Sequence, residues 1–200
     1  MIKKIFYFSM LFILLAACRR GASGVPQLTP GTIDEVIAAM TLEEKACLLV
    51  GYRYFSTFKV PVSFPFGFGL SYTSFAYSAP EVKAGKKGQF TASVTVTNSG
   101  KVPGKEVVEL YVSAPESSME KPVRELKGFA KTRILSPGES EVISISFKAE
   151  DLASFSEERN AWVTDKGIYK VQFAASADDI RQQADLKLKK EIVRNVLTKL

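Results

Sequence analysis

The side chains of this chain that could carry chemistry are carboxylates. Glu43 and Glu44, Glu150 and Asp151, Glu157 and Glu158, and Asp178 and Asp179 stand as adjacent acidic pairs. Acid/base work on a substrate needs two carboxyl groups converging on it, in environments that drive their pKa values apart. Neighbours in an extended chain point to opposite faces. The last three pairs lie in polar, loop-like stretches and read as solvated charge. Glu43 and Glu44 fall on the first turn of an expected helix, where acids favour the dipole, and Thr41 with Glu44 has capping-box spacing. The chain has no histidine. That excludes a His general base, a His-containing triad and a His-ligated metal. Two cysteines, Cys18 and Cys47, cannot build a Cys-rich zinc site. No catalytic residue, metal or cofactor is expected.

Gly67 and Gly69 are the other candidates, in the stretch Pro65 to Phe75 that reads PFGFGLSYTSF. A phosphate loop would carry a Lys after the glycines or the spacing G-x-G-x-x-G, and neither is present. Glycines alternating with Phe66, Phe68 and Leu70 allow positive φ or close backbone approach. The aromatics call for burial, at about 150–250 Å² per ring. A tight, packed connector is expected.

The elements that position these residues divide the chain. Residues 1–18, MIKKIFYFSMLFILLAAC, place Lys3 and Lys4 before an apolar run, Ile5 to Leu15, that is too short to span a bilayer comfortably. Leu15, Ala16, Ala17 and Cys18 resemble the lipobox of bacterial lipoproteins. The resemblance implies lipidation at Cys18, a membrane partner reached through that anchor, and a place in the bacterial cell envelope, at the outer membrane on its periplasmic or surface face. Several acyl chains on one residue hold a protein at a membrane stably. Residues 19–31 form a Gly/Ser/Pro-rich tether.

Within 32–51, Thr32 with Glu35 and Thr41 with Glu44 are capping boxes. Ile33, Val36, Ile37 and Met40, then Leu42, Ala46, Leu49 and Val50, recur at helical spacing, giving two short helices. Cys47 lies among apolar residues without a basic neighbour to make a thiolate. It reads as a buried structural thiol, or as one that pairs between molecules if the helices are uncovered.

From about residue 72 to 188 the period changes to two. Phe90, Ala92, Val94 and Val96 alternate with polar residues, and Asn98, Ser99 and Gly100 turn the chain. Val108, Leu110 and Val112 share a face, with Val107 and Tyr111 opposite. Leu126 to Leu135, then Ile143, Ile145 and Phe147, give further strands, separated by a turn at Ser136, Pro137 and Gly138. Trp162 opens another. Tyr169, Val171, Phe173 and Ala175 alternate again, and Ile180, Ala184, Leu186 and Leu188 suggest a last edge strand. About seven strands without a long helix indicate a mainly β fold: an antiparallel sandwich of immunoglobulin-like or fibronectin type III-like spacing, preceded by a short helical segment. Residues 189–200 carry Ile192, Val193, Val196, Leu197 and Leu200 at helical spacing opposite Lys and Arg. This basic amphipathic tail is expected as a short helix or as frayed chain.

The net charge is +6. Its excess sits at the ends, in Lys3 and Lys4, and in Lys187, Lys189, Lys190, Arg194 and Lys199 against Glu191. The stretch between is balanced, which argues against a nucleic-acid partner.

PFGFGLSYTSF resembles the signature that opens the C-terminal fibronectin type III-like domain of family 3 glycoside hydrolases, a group of β-glucosidases, β-xylosidases and N-acetylglucosaminidases. ELKGFAKTRILSPGES, EDLASF and GIYKVQFAAS resemble the same domain, in order. IDEVIAAMTLEEKACLLVG resembles the segment that opens the family's catalytic barrel, and YRYFSTF the end of its second domain. The resemblance implies that the barrel and the α/β domain, which in the family lie between those words, are missing between Gly51 and Tyr52. It also implies that the nucleophile's S-D-W-type motif and a Lys-His pair are lost with them; no Asp here precedes a Trp. Pro65, Phe66, Gly67, Gly69, Leu70, Ser71 and Tyr72 then carry a structural family motif. Three functions follow from this: a non-catalytic, lipid-anchored accessory domain; a fragment of a longer O-glycosyl hydrolase; or a glycan-binding module using Tyr52, Tyr54, Phe55 and Phe58. On the first, those aromatics are interface left uncovered by the missing catalytic domains.

Overall fold

A computed structural model describes residues 49–117, 119 and 121–195. The leader, the tether, the helical words of 32–48, Cys18, Cys47, Glu43 and Glu44 lie outside the described residues. The described chain opens with one helix, α1 (Tyr52–Phe58), followed by β1 (Phe75–Ala84), β2 (Gln89–Asn98), β3 (Val107–Ser113), β4 (Glu125–Lys131) and β5 (Ser140–Lys148). A single 3₁₀ turn (Ala149–Leu152) leads to β6 (Ser154–Ser156), β7 (Ala161–Thr164), β8 (Gly167–Ser176), β9 (Asp179–Leu188) and β10 (Ile192–Asn195).

Seven strands make the sandwich. One sheet runs β1-β2-β5 and the other β4-β3-β8-β9, all antiparallel. The alternation in β2 and β5 sends Phe90, Ala92, Val94, Val96, Ile143, Ile145 and Phe147 inward. Phe90 lies opposite Phe147 with ring centroids 5.5 Å apart. From the second sheet Val108, Leu110, Val112, Tyr169, Val171 and Phe173 complete the core. Each Val, Leu, Ile or Phe among them withdraws apolar surface worth about 1.5–3 kcal/mol. Gly128 in β4 stands where a Cβ would come within 2.6 Å of Ile145 Cγ2, so the sheets approach there only because that residue has no side chain.

Strand β3 is buried on both faces. Val108, Leu110 and Val112 enter the sandwich, whereas Tyr111 joins Ala174 and Ala177 in a second cluster on the outer side. Of the residues expected on that outer face, Tyr111 is covered and Val107 is exposed.

Three details depart from the sequence expectation. Ser78 pairs with Thr95 and Glu81 with Ser93, a bulge around Ala79 (φ 49°) and Pro80 that breaks alternation in β1, so the periodicity alone passed over this strand. A register shift after Phe173 ends the alternation: Ala174 is buried in the outer cluster with Tyr111, and Ala175, expected on the inner face, is only half-buried. The C-terminal segment, expected as helix or frayed tail, is over Ile192–Asn195 a strand: it pairs with β7, in a small sheet of order β10-β7-β6. The open edge of β7 supplies backbone partners that a lone four-residue helix would lack, and Ile192 and Val193 favour the pleated form. An ion pair between Arg159 and Glu191, at 2.8 and 3.0 Å, ties down its entrance.

Candidate functional site: the seat of the connector

Among the described residues, the acidic pairs do not form a constellation. Asp151 accepts the Lys148 N–H at 2.7 Å and closes the 3₁₀ turn. Glu157 and Glu158 occupy the β6–β7 turn. Asp178 accepts from Ser56 Oγ at 3.1 Å, and Asp179 pairs with Arg181 at 2.6 Å. No group of three or more His, Cys, Asp or Glu among the described residues is placed to hold a metal.

The structure instead builds a site around the connector. Helix α1 has seven residues, no buried residue and no side-chain cap, so it is too short to persist on its own. The sandwich holds it through side chains on one face. The Tyr52 ring packs edge-on to Tyr111 at 5.6 Å and tilted against Phe66 at 5.2 Å. Its hydroxyl accepts the Leu126 N–H at 2.7 Å. Arg53 pairs with Glu125 at 3.3 Å, and Thr57 Oγ1 accepts the Val123 N–H at 2.9 Å. Further along, the Phe66 carbonyl accepts the Ala177 N–H at 2.8 Å, and Arg124 donates to the Ala177 carbonyl.

Gly67 is the tightest point. It adopts φ +81°, and a Cβ there would collide with the carboxylate of Glu109, with its Cδ only 2.6 Å away. Glu109 Oε2 accepts the Tyr111 hydroxyl at 2.7 Å. Burial raises the Glu109 pKa, with the Tyr111 hydrogen bond opposing; burial also raises the Tyr111 hydroxyl well above its ordinary value, reinforced by Glu109. Gly69 meets nothing within 4 Å. The two glycines therefore differ in kind, although their spacing makes them look alike.

The rest of the motif is placed as follows. Pro65 O accepts the Phe68 N–H at 3.0 Å, and Ser71 Oγ accepts the Thr73 N–H at 3.2 Å. The expected burial of the aromatics is not seen: Phe66 leans on Tyr52 but is 49% exposed, Phe68 and Phe64 stack on each other in the open at 5.0 Å, and Leu70 and Tyr72 are fully exposed. Of the four aromatics read as a glycan patch, Tyr52 is taken up by Tyr111, Phe66 and Leu126, whereas Tyr54, Phe55 and Phe58 are exposed. A cavity of about 240 Å³ lies between α1 and the β8–β9 turn, lined by Tyr52, Phe55, Phe64, Phe66 and Asp178 among others.

Sequence reading missed the polar nodes. Asn98 reads as a turn residue, yet it is fully buried. Its Nδ2 donates to the carbonyls of Val102 and Leu135, both at 2.8 Å, and its Oδ1 accepts from Thr73 Oγ1 at 2.7 Å and Gly100 N at 3.0 Å. All its capacity is used, and Thr73 pins the end of the connector. Tyr77 donates to Glu106 at 3.0 Å where the two sheets meet. Glu109 carried one available signal: an acid flanked by Val107, Val108, Leu110 and Tyr111 in a strand-forming run.

Residues 106–177 match the fibronectin type III-like domain family. A β-glucosidase of Bacteroides ovatus, BoGH3A, is 44% identical over 142 residues, covering 70% of this chain and 19% of that protein. Beta-glucosidase A of Butyrivibrio fibrisolvens is 45% identical over 157 residues, with 67% and 19% covered. Among solved structures, β-glucosidase 3B of Thermotoga neapolitana in complex with glucose superposes with a TM-score of 0.71 at 38% identity, over 76% of this chain and 21% of that one. The chain thus spans about a fifth of the length of these relatives. With ordered motifs, sandwich topology and neighbours in agreement, the chain carries the fibronectin type III-like domain of the family 3 glycoside hydrolases.

Proposed function

We propose that this chain acts as a non-catalytic accessory domain of glycoside hydrolase type, held at a bacterial envelope by lipid on Cys18. One observation carries the accessory reading. The connector is fastened to the sandwich at several separate points, yet it presents Tyr54, Phe55, Phe58, Phe64, Phe68, Leu70 and Tyr72 to solvent. Exposed apolar side chains on a support held by hydrogen bonds and ring contacts are the form of a face meant to be covered by protein. Turnover of aryl β-glucosides by the purified chain above a protein-free blank would overturn this reading. Loss of membrane partition in Cys18→Ser is the expected result for the anchor.

A second reading has its own observation. The relatives are β-glucosidases of which the matched part is only about a fifth, so this sequence also suits one part of an intact O-glycosyl hydrolase. An immunoblot of native cells against the β domain separates the two. A band near 22.0 kDa, less the leader, supports the accessory domain; a band several-fold larger assigns the function to the longer enzyme.

A further inference from the structure

Exposed rings of the connector join into one patch. Tyr54 meets Phe58 at 4.9 Å and Phe55 at 5.6 Å, and Phe64 meets Phe68 at 5.0 Å. Phe55, Phe64 and Phe66 line the same cavity of about 240 Å³, which links the two groups. These rings are from 38% to 70% exposed. At about 150–250 Å² per ring they offer roughly 450–750 Å² per copy, or about 900–1,500 Å² when two copies meet. A specific interface needs about 1,000 Å² in total, so the patch has the area for a dimer before any polar rim is counted.

The patch also carries a knob beside a hole. Phe58, the last residue of α1, is 52% exposed. An apolar cavity of about 150 Å³ already takes benzene, so the 240 Å³ cavity has room for a phenyl ring. The charges follow the same division. Arg53 is paired with Glu125, Asp179 with Arg181, and Arg124 is turned to the Ala177 carbonyl. Lys59, next to the knob, and Asp178, which lines the hole, are both exposed. Neither has an ion-pair partner among the described residues. A two-fold contact asks for this: residue i of one copy meets residue j of the other, and j meets i.

We infer that the connector face is covered by a second copy of this chain. In that dimer Phe58 of each copy enters the cavity of the other, and Lys59 of each meets Asp178 of the other. The inference rests on the reading of the connector as a face covered by protein, and it names that protein. A partner presenting charge of one sign would be repelled by Lys59 or by Asp178, whereas a copy of the chain satisfies both. The rings supply the affinity and the charges fix the register.

Sedimentation velocity of the full chain tests this, with a reductant present so that cysteine pairing plays no part. Expected is a monomer–dimer equilibrium that saturates at the dimer, with a micromolar dissociation constant. Phe58→Ala, at an unchanged urea midpoint, should raise that constant by about 30-fold, since two rings are lost per dimer. Val142→Ala, exposed on β5 of the opposite sheet, should leave it unchanged. Lys59→Glu and Asp178→Lys should each weaken the dimer by about 10-fold. Mixed together they should restore it, because opposite charges then face each other at both contacts. A monomer throughout the micromolar range overturns the inference. So does a mass that climbs past the dimer, the sign of an open head-to-tail contact, an association that Phe58→Ala leaves intact, or a failure of the two charge variants to rescue each other. The accessory reading fails on a different measurement, the turnover of aryl β-glucosides.

Discussion

Replacing Gly67 by alanine tests whether the connector is seated by contact with Glu109. A non-glycine residue in the left-handed region costs about 1–2 kcal/mol. The new Cβ must also displace the Glu109 carboxylate, breaking its hydrogen bond from Tyr111, which with a charged acceptor contributes about 1.5–3 kcal/mol. Reduced freedom of the unfolded chain returns about 0.4–1 kcal/mol. The net loss is about 2–4 kcal/mol, which raises the population of an opened connector by roughly 30- to 1,000-fold. None of these contacts belongs to the main core cluster, so the loss appears as local opening. Tryptic cleavage at Lys59, exposed just after α1, measures it. Gly69→Ala is the control: no neighbour lies within 4 Å, and its effect should stay within about 0.5 kcal/mol. In a Glu109→Ala background the cost of Gly67→Ala should shrink toward the backbone contribution alone. Equal cleavage rates for the Gly67 and Gly69 variants would refute the reasoning, as would full additivity with Glu109→Ala.

Two further outcomes follow. Tyr52→Phe keeps the ring contacts but leaves the Leu126 N–H without its acceptor, a cost of about 1–3 kcal/mol; faster hydrogen exchange at Leu126 reads it, and Tyr54→Phe should change nothing there. Stability should rise as pH falls through the raised Glu106 and Glu109 values toward the ordinary carboxylate range, in urea titrations. Glu106 and Glu109 have pKa values raised by burial, so the folded state holds those protons longer, and the cost of their buried charge is present above the raised values and relieved as pH falls through them. Below the ordinary carboxylate range the sign reverses. Glu139, lowered by the Ser136 N–H and Arg133, and Glu191, lowered by Arg159, then lose the stabilisation that they contribute when ionised. Glu109→Gln should flatten the upper part of the profile.

The sandwich was legible because its core strands alternate without interruption. Phe90 to Val96 and Ile143 to Phe147 declare their inner faces in period two, and the turns between them carry Asn, Gly and Pro. The strand that escaped, β1, has its alternation broken by the bulge at Ala79 and Pro80. The tail was misread because Ile192 and Val193 suit either period, and the choice was made by a distant edge, β7, that no local pattern reveals. At the connector, the sequence marked both glycines, but only the fold separates Gly67, pressed on Glu109, from Gly69 in the open. Asn98 shows the same limit: its four hydrogen bonds depend on Thr73, Gly100, Val102 and Leu135 arriving together.

The seam between the two sheets has a colloidal consequence. Gln182 Nε2 on β9 donates to the Tyr77 carbonyl on β1 at 3.0 Å, so the outermost strands of opposite sheets are stitched to each other. The Pro80 bulge further spoils β1 as a template for strand addition. On this side the domain offers no ladder for another molecule to extend. Self-association at high concentration is therefore steered toward the aromatic connector, through side chains. It should be saturable and reversible on dilution, a discrete oligomer in place of a fibril.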